Sequence, residues 1–270
     1  NFYGLGNETD NPEDELGPDY NRVRQRYIAV APSIQHRLRG AARYSFGPIF
    51  ESHQIDTIGG RFIDEIAPSL NQEMFRGLEF LGAYFRFRVE NLNDPLFPTH
   101  GLRLSLTTGW KWSLDEKANN FPYFRGQVAI YQQVDGGGRL VFASRVGGMH
   151  LFNNKFEFFQ GARLGGSGPE RNFRGFRRDR FTGRSSFYHN NDLRWKAIQS
   201  ENRVLPFSLG FLTGFDYGRV WIDGEDSDRW HYSYGGGFWF SPFNLMDLRC
   251  SWFRGDGIRN RFQFSGRFFF

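Results

Sequence analysis

Aromatic and polar residues take alternate places along much of this chain. Over 259–270, Phe262, Phe264, Phe268 and Phe270 fall on one parity with Gly266 among them. Arg261, Gln263, Ser265 and Arg267 fall on the other. The side chains of a β-strand point alternately to its two faces, so a period of two marks a strand with two unlike faces. The same alternation sets Phe207, Leu209, Phe211, Phe215 and Tyr217 against Ser208, Gly210, Gly214, Asp216 and Gly218. It sets Phe187, Leu193 and Trp195 against Asp192, Arg194 and Lys196, and Phe85, Phe87 and Val89 against Arg86, Arg88 and Glu90.

Two architectures accommodate rings on one face and charges on the other. A soluble sandwich would bury the rings and expose the charges. A transmembrane barrel turns the rings to lipid and the charges to its lumen. The pattern predicts strands over 22–31, 35–47, 79–90, 101–112, 121–134, 138–151, 184–198, 204–221, 229–241, 245–254 and 259–270. Several exceed ten residues, where soluble strands usually run about 5–6. Their connections alternate. Short turns fall at 32–35, 95–101, 135–138 and 241–244, and longer polar segments at 48–78, 113–120, 152–183 and 222–228, as in outer-membrane barrels. Composition agrees: 32 Phe and 33 Gly accompany only 39% hydrophobic and 23% charged residues, the average of a greasy outer face and a polar inner one. The expected fold is therefore all-β, a transmembrane antiparallel barrel. Eleven strands is an odd number, whereas bacterial single-chain barrels normally have an even one. The whole of 1–270 is accordingly expected to be one barrel domain lacking its first strands and any N-terminal periplasmic domain. A rival count adds a strand at 155–164 and completes a small twelve-stranded barrel.

Several chemistries find no support. No run of 18 apolar residues exists, so no helical span is predicted. Cys250 is the single cysteine, which excludes an internal disulfide or a cysteine-rich metal site. The six His (36, 53, 100, 150, 189, 231) show no metal-ligand spacing, and no Gly-x-Ser-x-Gly elbow occurs. Gly136-Gly137-Gly138 precedes a strand and reads as a tight turn. The acidic runs 12–15 and 223–228 read as solvated loop faces, with cation binding a minor alternative. The net charge of +5 comes from arginines spread singly through alternating strands, which suggests a basic lumen and no nucleic acid. No catalytic constellation, cofactor or metal site is predicted.

Five short motifs then occur in order. Asp94-Pro95 with Phe97-Pro98-Thr99-His100-Gly101 is followed by a single loop motif, Leu164-Gly165-Gly166-Ser167-Gly168 then Phe173-Arg174-Gly175-Phe176. Asn191-Asp192-Leu193-Arg194, then Gly214-Phe215-Asp216-Tyr217-Gly218-Arg219-Val220-Trp221, and finally the terminal aromatic Phe270 complete the series. Together, across roughly residues 80–270, they resemble the outer-membrane protein assembly and surface-antigen superfamily. Asp192 stands where that family has Glu, one methylene shorter. The resemblance implies a barrel of about sixteen strands with a lumen-inserted loop, in which Arg174, Gly175 and Phe176 form a latch against Asp192 and Asp216. The alternation independently puts Asp192 and Asp216 on the polar face. Phe262, Phe264, Phe268 and Phe270 resemble the C-terminal strand signal by which such barrels are recognised for assembly.

The function so implied is assembly, insertion or translocation of other outer-membrane proteins in a Gram-negative outer membrane. Partners would be the lipid bilayer, client outer-membrane proteins and periplasmic or outer-membrane accessory proteins. A second reading comes from Asn1–Thr9, which resembles a loop of barrels linked to a metallophosphoesterase; others carry a patatin-like lipase. The barrel would then anchor a hydrolase whose catalytic residues lie upstream. A general pore or adhesin is the third, and a lumen-filling loop at Arg174 weighs against it.

Overall fold

The computed structural model describes residues 1–9, 16–116, 118–166, 172–202, 204–256 and 260–270. The acidic run 12–15 and Ser167–Gly168 of the glycine-rich motif lie outside them. Among the described residues, twelve strands form one antiparallel sheet. They are β1 (Arg24–Val30), β2 (Ile34–Arg37), β3 (Ala42–Asp56), β4 (Leu78–Leu92), β5 (His100–Ser113), β6 (Phe121–Gln133), β7 (Leu140–Leu151), β10 (Ser185–Ser200), β11 (Phe207–Trp221), β12 (His231–Pro242), β13 (Leu248–Gly255) and β14 (Arg261–Ser265). Strands β8 (Ala162–Leu164) and β9 (Phe181–Gly183) form a separate pair. The rival strand at 155–164 is thus corrected: Phe158–Gln160 is a 3-10 turn and β8 pairs only with β9.

Strands β1 and β2 both pair with β3, so the sheet is eleven positions across. Their order is otherwise sequential, and among the described residues the first and last positions do not pair with each other. The interruption has a local cause. Val30 pairs with Phe50 and Ile34 with Phe46, which places Pro32 opposite Pro48. Neither proline has an N–H to give the ladder, so it opens there. The expected turn at 32–35 is therefore a break within one edge strand, and the expected strand 35–47 is two. The chain reverses at 38–41, where Leu38 N–H donates to Ala42 O at 2.9 Å. Consequently β3 runs on to Asp56, through what the sequence suggests is loop.

The alternation is reproduced in space. Ser208, Gly210, Leu212 and Asp216 are buried, while Phe211, Phe215 and Trp221 point outward and are exposed, as are Phe85, Trp110, Leu193, Trp195 and Phe238 on other strands. A soluble sandwich is incompatible with this, because its rings would be the buried set. Phe215→Arg should therefore destabilise the folded protein in lipid vesicles by about 2 kcal/mol, the scale for a lipid-facing charge on a barrel. Urea titration of vesicle-embedded protein reads this directly, and an unchanged midpoint would contradict a lipid-facing Phe215.

The inner face is less wet than its charges suggest. At the end bearing the long loops, Phe2, Ile55, Phe80, Phe121 and Phe158 cluster. At the short-turn end, Phe97, Val141, Leu212, Trp239, Phe253 and Phe268 do the same. Asp247, in the turn before β13, is only 2% exposed. Burial pushes its carboxyl up to about 6 and Asp94 adds repulsion, against a hydrogen bond from Ser241. A folded value above the unfolded 3.8 means that Asp247 favours the fold most below that pH, a contribution lost as pH rises through about 6. Asp247→Asn should flatten the fall in unfolding midpoint between about pH 4 and 7. Parallel profiles for wild type and variant would show that another group sets the slope.

Candidate functional site

The long segment between β7 and β10 returns into the concavity of the sheet. Its floor is shaped by β11 and β13, where two inward positions are glycines. A Cβ on Gly214 would lie 2.6 Å from Arg174 Nη2, and one on Gly255 would lie 2.7 Å from the Phe176 ring. The missing side chains are the space into which Arg174 and Phe176 fit. Gly175 between them has φ +79°, which an L side chain rarely adopts. Phe173 and Phe176 stack at 4.6 Å and pack with Leu164, Phe181, Tyr188 and Val220.

Arg174 is completely buried. Its guanidinium forks onto Asp216, with Nε donating to Oδ2 at 2.8 Å and Nη2 to Oδ1 at 2.5 Å. The backbone N–H of Arg174 donates to the same Oδ2 at 3.2 Å. Nη1 donates to Asp192 Oδ1 at 2.5 Å and Nη2 to Asn191 O at 3.2 Å. The planar fork suits a carboxylate held edge-on, and Asp216 supplies that edge. The shorter Asp192 takes one nitrogen of Arg174 and gives its other oxygen to Arg194, at 2.9 Å from Nη2. Two arginines and two aspartates therefore interlock, all within 1% exposure. Rings sandwich the cations: Phe253 lies 4.2 Å and Phe269 4.9 Å from the Arg174 guanidinium carbon, and Phe268 4.4 Å from that of Arg194.

The chain's last residues belong to this site. The sequence places Phe262, Phe264, Phe268 and Phe270 on one face of one strand. That placement is corrected here: β14 ends at Ser265, Phe262 and Phe264 are more than 70% exposed, and Phe268, Phe269 and Phe270 turn inward and are buried. The rings of Phe269 and Phe270 lie over Arg145, at 4.6 Å and 5.0 Å, and Arg194 Nη2 donates to Phe270 O at 3.0 Å. Past Ser265 the rings meet the cations of the inner wall and the ladder is not continued.

Sequence reasoning missed Arg145, whose Nε and Nη2 donate to Asn190 Oδ1 at 2.9 and 2.7 Å. The parity of Asp192 and Arg194 already implied that Arg194 shares the face. It missed the N-terminal segment as well. Gly6 N–H donates to Thr182 O at 2.8 Å, and the Asn7 side chain both donates to Val220 O at 2.8 Å and accepts from Val220 N–H at 3.0 Å. Glu225 accepts from the backbones of Asn7 and Glu8, so the run 223–228 is not merely a solvated face.

Among curated proteins, none matches the chain. Among solved structures, BamA from Haemophilus ducreyi lacking POTRA domains 1–3 superposes with a TM-score of 0.61 at 14% identity, over 90% of this chain and 53% of that one. CdiB from Escherichia coli gives 0.57 at 13% identity, over 90% and 43%. The chain thus spans about half the length of these structures, and the likeness shows a shared barrel fold. Sequence carries the relationship further, because residues 90–239, the stretch holding β5 to β11 and the Arg174 loop, match the model of the haemolysin secretion/activation proteins ShlB, FhaC and HecB, and the chain belongs to that family.

Proposed function

We propose that this chain is the barrel of an outer-membrane exporter through which a secreted polypeptide passes, with the Arg174 loop as its resting latch. The observation that carries this reading is the burial of Arg174 between Asp192 and Asp216, on the inner face of a sheet whose outer face is apolar. A loop held there by buried ion pairs narrows the lumen, and its release would widen it. Insertion of other barrels is the second reading, supported by the fold shared with BamA. It would use a sheet edge opened at the seam of the barrel, whose backbone groups suit addition of a client strand.

Depleting the protein in its host and quantifying the medium and the outer membrane by mass spectrometry separates the two. Export predicts loss of one or a few polypeptides from the medium with outer-membrane barrels unchanged. Insertion predicts a general loss of barrels, and no change in either compartment would sink both. The exposed Phe262 and Phe264, with the terminal aromatics, are read here as the assembly signal. Deleting Phe270 should then reduce surface abundance several-fold at constant transcript, as measured by surface labelling. Undiminished abundance would remove that role.

A further inference from the structure

The inner wall formed by β3 to β6 carries charge that the Arg174 site does not use. Arg86, Arg88, Arg103 and Arg125 line a cavity of about 470 Å³, and among the described residues no Asp or Glu lines it. Two acids of the wall are already occupied: Glu51 accepts from Lys111 Nζ at 2.7 Å, and Glu90 is held by two arginines. Glu90 accepts from Arg103 Nη2 at 2.9 Å and Nε at 3.2 Å and from Arg43 Nη2 at 3.5 Å. Arg86 Nε donates to Thr107 Oγ1 at 3.3 Å, and no carboxylate among the described residues pairs with Arg86 or Arg88. Arg88 moreover stands directly opposite Arg43 in the β3–β4 ladder. Like charges facing across a strand pair destabilise a sheet, so the wall bears a cost that a bound anion would relieve.

The shape of the space selects the kind of anion. A second cavity of about 500 Å³ adjoins the first, and Arg86, Thr107, Arg125 and Arg163 line both. The combined track follows β5 from Arg103 to Lys111, eight residue steps or about 26 Å of strand; its far end also carries Glu51 and Asp179, which are taken up by Lys111 and Arg163 and leave Arg86, Arg88 and Arg125 facing the space. A compact oxyanion would fill only a fraction of it. An extended polypeptide would fill it and would present every second side chain to the wall, matching the spacing of Arg86 and Arg88. We propose that this track binds an extended acidic segment of a polypeptide, whose carboxylates face the arginines of β4 and β5. The proposal rests on the export reading, since it takes the segment to be part of the passenger.

The test uses the full-length protein in detergent micelles and fluorescent peptides of about ten residues that alternate glycine with Glu, Gln or Lys. The Glu peptide should bind at least about tenfold more tightly than the Gln peptide, with an affinity that falls as salt rises. Arg86→Gln with Arg88→Gln should abolish that preference while gel heat-modifiability stays that of wild type. Ser105→Glu, which sets a carboxylate opposite Arg88, should do the same without removing an arginine. Equal binding of the Glu and Gln peptides, or a preference that survives both variants, would overturn the proposal. Full displacement of the Glu peptide by inorganic pyrophosphate at matched charge would also overturn it, in favour of a small-oxyanion site. Acidic preference in a protein whose depletion leaves the medium unchanged would uphold the track and fail the export reading. Absence of preference in a protein that does export would fail the track alone.

Discussion

Replacement of Arg174 by alanine should lower the stability of the folded protein by about 3–5 kcal/mol, the largest effect expected from any single substitution here. The loss is not the attraction of one pair. Asp192 and Asp216 are both within 1% exposure, and Asp216 receives three of the hydrogen bonds that Arg174 makes. Without the guanidinium, two carboxylates stay buried, and the neighbouring Arg194 reaches only Asp192. The loop tip should loosen, because its remaining holds are the ring cluster around Phe176, the backbone N–H of residue 174 to Asp216 and the Asn190 side chain to Asn172 O. Gel heat-modifiability should shift to lower temperature while the strand content seen by circular dichroism is retained. Arg174→Lys should recover less than half of the loss, since an ammonium cannot fork onto Asp216. A variant indistinguishable from wild type across temperature would remove the latch from the proposed function.

Gly214→Val should be nearly as damaging, at about 3 kcal/mol, although it removes no charge. A Cβ at 214 would lie 2.6 Å from Arg174 Nη2, 2.9 Å from Asn191 O and 2.9 Å from Asp192 Oδ1. Two of these atoms belong to the ion-paired groups, Nη2 bonded to Asp216 and Oδ1 bonded to Nη1, and the third is backbone, so little can yield. The valine wedge separates Arg174 from Asp192 and lifts the loop. This mechanism makes a sharper prediction in combination. In the Arg174→Ala background the wedge has no guanidinium to displace, so Gly214→Val should cost markedly less than it does alone. Additive losses in the double variant would show that valine harms the β10–β11 ladder itself and not the seated loop.

The pattern of effects also separates what is local from what is not. The lipid face, the strand at β11 and the parity of Asp192, Arg194 and Asp216 follow from a period of two, which each strand states by itself. The strands β4, β5, β7, β10 and β11 lie close to their expected limits for that reason. Where a proline interrupts the ladder, the local signal misleads. Pro32 looks like a turn and Pro48 like the start of a loop, yet the two face each other at the gap in one edge pairing whose register is kept on either side. Only the register between β1, β2 and β3 shows that the two defects coincide.

The last residues show the same limit from the other side. Phe268 and Phe270 share the parity of Phe262 and Phe264, and alternation alone gives all four one face. The deciding interaction is with Arg145 and Arg194, which lie 74 or more residues away along the chain. Likewise the resemblance nominated Arg174, Asp192 and Asp216, but which aspartate takes the fork depended on placement. Asp216 is reached by Nε and Nη2 together, and Asp192 is shared with Arg194. The capture of Val220 by Asn7, across 213 residues, had no trace in the sequence. By itself, the sequence determined which side of each strand meets lipid, because that choice needs only neighbouring residues and the solvent they face. The tertiary structure decided which charges meet inside, because a buried arginine is satisfied by whatever carboxylate or ring the fold brings within reach.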